Sequence, residues 1–257
     1  MISGIINAIK IIFLLGFLVT IHEGGHFLVA KLCKVKVNEF SIGFGKKIWK
    51  IQGKETLYSI RMIPLGGFVQ MEGESEESSD IRAFSNVSII KRIAIVSAGA
   101  LVNILFGILA YFILISTTGL QFVDPSKDTI LNRIYYGGIN TWEFILSMFE
   151  SIKMLFTNGI AVEQMTGPVG ISQIVVQAAG FANYIYVLAI ISVSLGVTNL
   201  LPFPALDGGK IVLLIVEAIR KKKITVETES KITLIGFSIL IALSLFVTYN
   251  DIVRIFQ

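Results

Sequence analysis

The chain has 257 residues, of which 54% are hydrophobic and 16% charged, and its mean hydropathy is +0.76. About a quarter of the residues in an ordinary soluble domain are charged, and a globule of this size could not hide so much apolar surface. The single cysteine excludes an intrachain disulfide framework. The net charge of +4 is too small to argue for a nucleic-acid partner. The composition therefore predicts an integral membrane protein in contact with the lipid bilayer.

Four stretches are apolar and long enough to cross the hydrocarbon core, which requires about 20 residues in a helix. They cover about residues 3–32, 93–116, 181–206 and 232–249. The last three stretches contain no charged residue, whereas the first carries Lys10, His22, Glu23 and His26. It has no clear cleavage site after a short apolar core, so we interpret it as a retained span rather than a signal peptide. Lys10 lies near the start and can extend to the interface. Polar side chains facing lipid are costly, so a buried function is the expected role of the other three.

Lysine and arginine are distributed unevenly among the loops. Basic residues dominate between the first two spans and again at 210–231, whereas the loop after the second span holds only Lys127 and Arg133. Because cytoplasmic loops carry the excess of Lys and Arg, this pattern predicts four spans with both termini outside the cytoplasm. The expected location is the inner, cytoplasmic membrane of a cell.

Residues 34–71 alternate between apolar and polar side chains around turn signals, which predicts small antiparallel strands on the cytoplasmic side of the membrane. The segment contains four glycines that permit close backbone approach: Gly43, Gly45, Gly66 and Gly67. It is either an ordinary hairpin or a template to which an extended substrate adds a strand. The predicted fold class is a mainly α membrane protein, one polytopic domain over 1–257 with four transmembrane helices and this small β-sheet.

Two further segments lie between the second and third spans. Residues 117–140 are polar and turn-rich, and they form a loop too short for an independent domain. Residues 141–156 have helical periodicity, with glutamates and a lysine opposite the apolar positions, which predicts an amphipathic interfacial helix.

The sequence His22-Glu23-Gly24-Gly25-His26 is an HExxH pattern. Residues four apart share one face of a helix, so both imidazoles can reach one zinc ion while Glu23 handles a proton. These are the only two histidines of the chain. The alternative is a pair of hydrogen-bonded core histidines, which gives no reason to place both in a membrane span with a glutamate between them.

A catalytic zinc site needs a third protein ligand, and no third histidine exists. The candidates are a carboxylate or Cys33, which lies about 10 Å along the helix axis from His26 if the helix continues. Asp207 is the conspicuous carboxylate, because Pro202 and Pro204 interrupt the third span just before it. Irregular backbone at membrane depth is tolerated where protein or a water-filled cavity surrounds it. The alternative role for Asp207 is a helix cap at the membrane surface.

Together these motifs resemble the site-2 protease family of intramembrane zinc metalloproteases, most of all the bacterial RseP type. HExxH in the first span is combined with Asn199-x-x-Pro202-x-Pro204-x-x-Asp207-Gly208 after the third. Further matching segments are 66–69, 83–86, 98–103 and 165–170, so the resemblance covers nearly the whole chain.

The resemblance implies a role for each matching residue. His22, His26 and Asp207 would be ligands of Zn²⁺, and Glu23 would be the catalytic base. Residues that would hold the substrate are Asn199, Gly43, Gly45, Gly66, Gly67, Phe68 and Val69. The implied substrates are single-span membrane proteins such as an anti-sigma factor or a signal-peptide remnant, cleaved near the cytoplasmic side.

The chain departs from the family pattern in three places. Gly24 stands where relatives usually have a large apolar residue, and Ala100 stands where a proline is common. Relatives of this type carry one or two PDZ domains between the second and third spans, and the loop at 117–140 cannot contain one. Two other functions remain open at this stage: a zinc-binding transporter, and an inactive scaffold of the same family.

Overall fold

The computed structural model describes residues 2–118, 128–157 and 167–255. Within these ranges the helices are α1 (Ile2–Leu32), α2 (Ile89–Thr118), α3 (Ile130–Thr157), α4 (Pro168–Gln177), α5 (Gly180–Asn199), α6 (Asp207–Arg220) and α7 (Val226–Ile255), and the strands are β1 (Val37–Gln52) and β2 (Leu57–Met71). Four of the helices, α1, α2, α5 and α7, are long and apolar enough to cross a membrane. The predicted class, a mainly helical membrane protein with a small antiparallel sheet, is confirmed.

The chain forms two compact units. The first comprises residues 1–104 and 194–240, and the second comprises 105–193 and 241–257. In the second unit, Tyr111 of α2 stacks on Phe144 of α3 with ring centroids 4.3 Å apart. The Asp251 carboxylate accepts a hydrogen bond from the backbone N–H of Gly170 (2.9 Å) and so satisfies a donor in the first turn of α4. Every residue of the candidate site belongs to the first unit.

The two strands bend, and each contributes two segments to the sheet. Ile42 of β1 pairs with Gly67 on one side and with Ile60 on the other. The segments therefore lie in the order 67–71, 37–42, 57–63 and 47–52. Gly43 and Gly45 have φ angles of +86° and +84°, which a residue with a side chain rarely adopts, and they allow β1 to turn back along the sheet.

A buried apolar cluster joins the sheet to the helices that flank it. Its members come from α1, the two strands, α2, α6 and the segments that connect α1 to β1 and β2 to α2, namely Ala30, Val35, Val37, Met71, Phe84, Ile95, Val96 and Leu214. Glu55, in the turn between the strands, accepts hydrogen bonds from Lys31 of α1 and from Arg82. The hydrogen bond from Lys31 (2.8 Å), together with that from Arg82, lowers the pKa of Glu55 to about 2.

The structure differs from the sequence-based prediction at the third span. That span was expected to continue to residue 206, but α5 ends at Asn199 and a new helix, α6, begins at Asp207. Proline has no N–H to donate and clashes with the preceding turn, so Pro202 and Pro204 prevent the helix from continuing. The intervening residues are irregular, and Ala205 has a positive φ of 77°.

A second difference lies in the predicted loop at 117–140. Residues 119–127 are outside the described residues, but α3 begins at Ile130, well before the amphipathic helix expected at 141–156. Two polar side chains where the predicted loop and helix adjoin form hydrogen bonds within α3. The side chains of Asn140 and Thr141 donate hydrogen bonds to the backbone carbonyls of Tyr136 and Gly137 (2.8 and 2.7 Å). Of the Gly/Pro-rich motif at 165–170, residues 165 and 166 are also outside the described residues.

Candidate metal centre

His22 and His26 lie one turn apart on the same face of α1, as the HExxH spacing requires. Both are buried, with 8% and 9% of their surface exposed. Their Nε2 atoms are 3.1 Å apart, and the two rings meet edge to face with centroids 4.8 Å apart. The two nitrogens therefore point toward a common position.

Asp207 brings a carboxylate to the same position from another part of the chain. Its Oδ2 lies 3.1 Å from the Nε2 of His22 and 3.5 Å from the Nε2 of His26. Among the described residues, these three form the group that could hold a metal ion. Cys33, the other candidate third ligand, is not part of it.

The irregular segment 200–206 fixes the position of Asp207, which is the first residue of α6. Two glycines of α6 lie directly against carbonyl oxygens of this segment. A Cβ on Gly208 would collide with the oxygens of Leu200 and Leu201, and a Cβ on Gly209 would collide with the oxygen of Phe203. The sequence Asp-Gly-Gly therefore lets the loop fold back onto the helix that it precedes and places the carboxylate at the N-terminus of α6, where negative charge is favoured.

The residues present fit a zinc ion. The Oδ2 of Asp207 is buried and has no hydrogen-bond partner among the described residues, although two imidazole nitrogens lie within 3.5 Å. A buried carboxylate oxygen without a donor is costly, and lone pairs that converge on one point repel each other unless a cation lies between them. Imidazole nitrogen and carboxylate oxygen are ligands that zinc takes in catalytic sites.

One face of α2 lies directly against the two imidazoles. The Nδ1 of His26 is 2.8 Å from the carbonyl oxygen of Ile95, to which it can donate a hydrogen bond. One turn further along α2, a Cβ on Gly99 would lie 2.8 Å from the Nε2 of His22 and even closer to the Nε2 of His26. Gly25 of α1 approaches the backbone of Ala98 in the same way, since its Cβ would lie 2.6 Å from that carbonyl oxygen. Close contact between α1 and α2 thus forms one wall of the site.

Glu23 lies beside the histidines and next to the edge of the sheet. A Cβ added to Gly67 would be 3.5 Å from the Cγ of Glu23 and 2.7 Å from the carbonyl oxygen of Ser41. The glycine therefore allows β2 to run close to the glutamate. Further toward the start of α1, Gly16 contacts the carbonyl oxygen of Pro64 in a similar way.

The other predicted substrate-binding residues lie in the two strands, with Gly43 and Gly45 at the bend of β1, except for Asn199. Segment 67–71 pairs with 37–42 on one side, and no other described strand pairs with it. The ring of Phe44 occupies the space where a Cβ of Gly66 would stand, and the Arg61 guanidinium lies 4.9 Å from the centroid of the Phe68 ring. Val69 packs against the apolar cluster. Asn199 is partly buried at the last position of α5, just before the loop that leads to Asp207.

The profile of peptidase family M50 matches residues 10–243 of the chain. The chain belongs to peptidase family M50. A relative from Clostridium acetobutylicum is 31% identical over 332 aligned positions, which cover 96% of this chain and 97% of the relative. Zinc metalloprotease RasP of Bacillus licheniformis and Regulator of sigma-W protease RasP of Bacillus subtilis are each 25% identical, with 97% of this chain and 99% of the relative covered.

This M50 peptidase is a zinc metalloprotease of the site-2 type, and its four apolar helices make it a multi-pass membrane protein. The cofactor Zn²⁺, predicted from HExxH, is confirmed by the family and by the presence of a His-His-Asp group. The alignments of 332 and 419 positions with two relatives are longer than the 257 residues of this chain. The relatives thus contain residues without a counterpart here, which is consistent with the predicted lack of a PDZ domain.

Two sets of ion pairs near the site, one partly buried around Lys210 and one buried at Arg92, could not be predicted from the sequence. Lys210, one turn beyond Asp207 on α6, lies 2.6 Å from Glu74 and 3.6 Å from Glu229. Burial opposes the charge of Lys210, but the two carboxylates outweigh it and raise the pKa of this lysine. Arg92 of α2 pairs with Glu217 of α6, and both are almost fully buried. The sequence indicates for Arg92 only a charge that sets topology, because nothing in it links this residue to one so distant along the chain.

Proposed function

We propose that this M50 peptidase performs intramembrane proteolysis, in which it hydrolyses a peptide bond in or near the transmembrane segment of a single-span membrane protein. The observation that carries the proposal is the buried group of His22, His26 and Asp207, in which the histidines lie within an apolar helix and Glu23 stands beside them. The expected substrates are anti-sigma factors or signal-peptide remnants. The name of the Bacillus subtilis relative, a regulator of sigma-W protease, supports the first class.

In this proposal His22, His26 and Asp207 would hold the metal through two Nε2 atoms and Oδ2. A zinc ion in such a site supplies Lewis-acid polarisation of a scissile carbonyl and makes a bound water more acidic. Glu23 follows His22 directly in the chain and is partly buried. It takes the proton of the attacking water and delivers it to the leaving nitrogen, as a general base and then a general acid.

The free edge of β2 is the proposed substrate platform. A helical substrate hides its peptide bonds within its own hydrogen bonds, so the cleaved segment must be extended before hydrolysis. Segment 67–71 has a described partner on one side only, and Gly67 brings it close to Glu23. An extended substrate that adds a strand there would be held by backbone hydrogen bonds beside the proposed base. Asn199, before the loop that carries Asp207, is proposed to contact the substrate from the other side of the ligand group.

The orientation follows from the basic loops, as the sequence predicts. With Lys- and Arg-rich segments in the cytoplasm, both termini are extracytoplasmic and the active site faces the cytoplasmic side. Cys33, the single cysteine, lies just beyond the end of α1 and is partly exposed. Labelling of this thiol by a membrane-impermeant reagent from the cytoplasmic side alone agrees with this orientation, and labelling from the opposite side alone refutes it.

A Glu23→Gln variant tests the proposed function. We expect zinc binding to persist, because the glutamate is not a ligand, and cleavage of a single-span substrate to fall by at least about 100-fold, because general base catalysis is lost. The assay uses purified protein in detergent with a single-span model substrate, and bound zinc is measured in the same samples. Glu76→Gln, an exposed carboxylate on the loop after β2, is the matched control with unchanged rates. Undiminished cleavage by Glu23→Gln refutes the proposed base, whereas zinc transport into vesicles without cleavage favours the transporter alternative.

The same assay tests the substrate platform through Gly67→Ala. The new Cβ would lie 2.7 Å from the carbonyl oxygen of Ser41, so the edge strand must move. We expect KM to rise several-fold with zinc content unchanged, since the metal ligands lie on other elements. Gly138→Ala is the control, because nothing lies within 4 Å of a Cβ at that helical position. Wild-type KM in Gly67→Ala excludes strand addition at this segment.

A further inference from the structure

Helix α2 contributes no residue to the proposed ligand set, yet three of its positions face the histidines. Ile95, Gly99 and Asn103 are spaced four residues apart, so they share one face of the helix. The carbonyl oxygen of Ile95 lies close to the Nδ1 of His26, and the Asn103 side chain lies close to the Nδ1 of His22. Gly99, between them, packs against both rings. This face of α2 therefore contacts both imidazoles.

The contact with Ile95 fixes the tautomer of His26. A backbone carbonyl can only accept a hydrogen bond, so the Nδ1 of His26, at 2.8 Å, must carry the hydrogen. In a neutral imidazole the Nε2 then keeps its lone pair, which points toward Asp207 and the position of the metal. His26 is therefore prepared to ligate through Nε2.

His22 needs the same tautomer, and Asn103 is the group that faces its outer nitrogen. Asn103 is fully buried, and its carboxamide end lies 3.4 Å from the Nδ1 of His22, measured to Nδ2. A half-turn of the amide group exchanges its oxygen and nitrogen in nearly the same space. As placed in the structure, the amide nitrogen faces His22 and would donate to a bare Nδ1. The hydrogen of the ring would then lie on Nε2, where a metal ligand must have a lone pair, so ligation by His22 requires the flipped amide, with its oxygen toward Nδ1.

We propose that Asn103 is a positioning residue for the metal site, with its carboxamide oxygen accepting a hydrogen bond from the Nδ1–H of His22. This contact fixes the ring orientation and leaves the Nε2 lone pair free for zinc, as the carbonyl of Ile95 does for His26. Outer partners of this kind also raise the basicity of a ligating histidine. The inference rests on the proposed role of His22 as a ligand, and it adds that α2 selects the tautomer of both histidines.

Two substitutions of Asn103 and one control substitution on α2 test whether Asn103 acts as a hydrogen-bond acceptor. Asn103→Asp keeps an oxygen acceptor in nearly the same volume, whereas Asn103→Leu has a similar size and accepts nothing. Ser97→Ala is the matched control on α2, since the Ser97 hydroxyl donates to the Ala94 carbonyl of its own helix. The zinc dissociation constant of the full chain in detergent is measured by competition with a chromophoric chelator, and the melting temperature of each metal-free variant is measured in parallel.

We expect Asn103→Leu to weaken zinc binding by roughly 10- to 100-fold, the usual effect of removing an outer partner of a metal-bound histidine. Asn103→Asp is expected to bind zinc at least as tightly as the wild type, and Ser97→Ala to be unchanged. Rescue by aspartate distinguishes hydrogen-bond acceptance from packing, because leucine fills the same space. The d–d absorption band of the Co²⁺-substituted protein gives a second readout, and it should be the same in the wild type and Asn103→Asp.

Two results overturn the proposal. Zinc affinity that is equal in Asn103→Leu and the wild type shows that the contact does not act on the metal site. Loss of affinity in Asn103→Asp as large as in Asn103→Leu, with an unchanged melting temperature, shows that the amide acts as a donor. A His22→Ala variant in the same titration separates this from failure of the proposed function. If His22→Ala retains wild-type affinity, the ligand set itself is wrong, and the role of Asn103 is wrong with it.

Discussion

A Gly99→Ala variant is expected to fold but to lose zinc and, with it, proteolytic activity. The new Cβ would lie 2.8 Å from the Nε2 of His22 and closer still to the Nε2 of His26. Both neighbours are ends of side chains that can rotate away, so the helices need not separate, but rotation moves both proposed ligands off the metal position. The loss of zinc affinity should exceed the roughly 10- to 100-fold that removal of an outer partner causes.

Gly24→Ala is the matched control for this variant. Nothing lies within 4 Å of a Cβ at Gly24, and alanine favours a helix interior over glycine by up to about 1 kcal/mol. Zinc affinity should therefore equal that of the wild type, with equal or higher stability. Gly25→Ala is not a suitable control, because its Cβ would meet the carbonyl oxygen of Ala98 at 2.6 Å and disturb the packing of α1 on α2. Zinc retained by Gly99→Ala at wild-type affinity would show that the imidazoles do not rest on this glycine when the metal is bound.

The different surroundings of Gly24 and Gly99 could not be predicted from the sequence. HExxH locates two candidate ligands, because the geometry that joins them is local to one helix turn. The importance of Gly99 depends on a contact between α1 and α2, which no spacing in the sequence encodes. The two glycines look alike in the sequence, yet one faces open space and the other faces both histidines.

The sequence predicts irregular backbone before Asp207, but it does not predict the conformation of that segment. Two prolines and a pair of glycines indicate irregular backbone next to a helix start. They do not reveal that α5 ends at Asn199, or that carbonyl oxygens of the preceding loop pack directly against Gly208 and Gly209. Similarly, alternation predicted the strands at 34–71, but the pairing of Ile42 with both Gly67 and Ile60 depends on bends at Gly43 and Gly45.

The second large effect concerns the buried pair of Arg92 and Glu217, which joins α2 to α6. The Nη1 of Arg92 lies 3.3 Å from the Oε2 of Glu217, and Nη2 makes a second hydrogen bond to Oε1. Both residues are 6% exposed. Arg92→Met leaves a buried carboxylate without its partner, and Glu217→Leu leaves a buried guanidinium, so each single variant should lower the free energy of unfolding by about 3–5 kcal/mol.

The double variant Arg92→Met/Glu217→Leu removes both charges together and should recover most of that loss, because apolar groups of similar volume replace a buried pair at little cost. Unfolding by denaturant in detergent micelles measures all three free energies. Glu227→Gln, which breaks the exposed pair with Lys231, is the control and should cost no more than about 0.5 kcal/mol. Single variants that lose less than 1 kcal/mol, or a double variant no better than either single one, would contradict this account of the pair.

The same pair bears on the metal site. Arg92 precedes Ile95 by three residues on α2, and Glu217 lies on the helix that Asp207 begins. The pair therefore ties the helix that holds the imidazoles to the helix that carries the carboxylate. We expect each single variant to bind zinc more weakly than the double variant. An unpaired buried charge favours a displacement of its helix that exposes the charge to water, whereas the apolar pair keeps α2 packed against α6. Titration of zinc into the three variants would show whether this tie acts on ligand geometry as well as on stability.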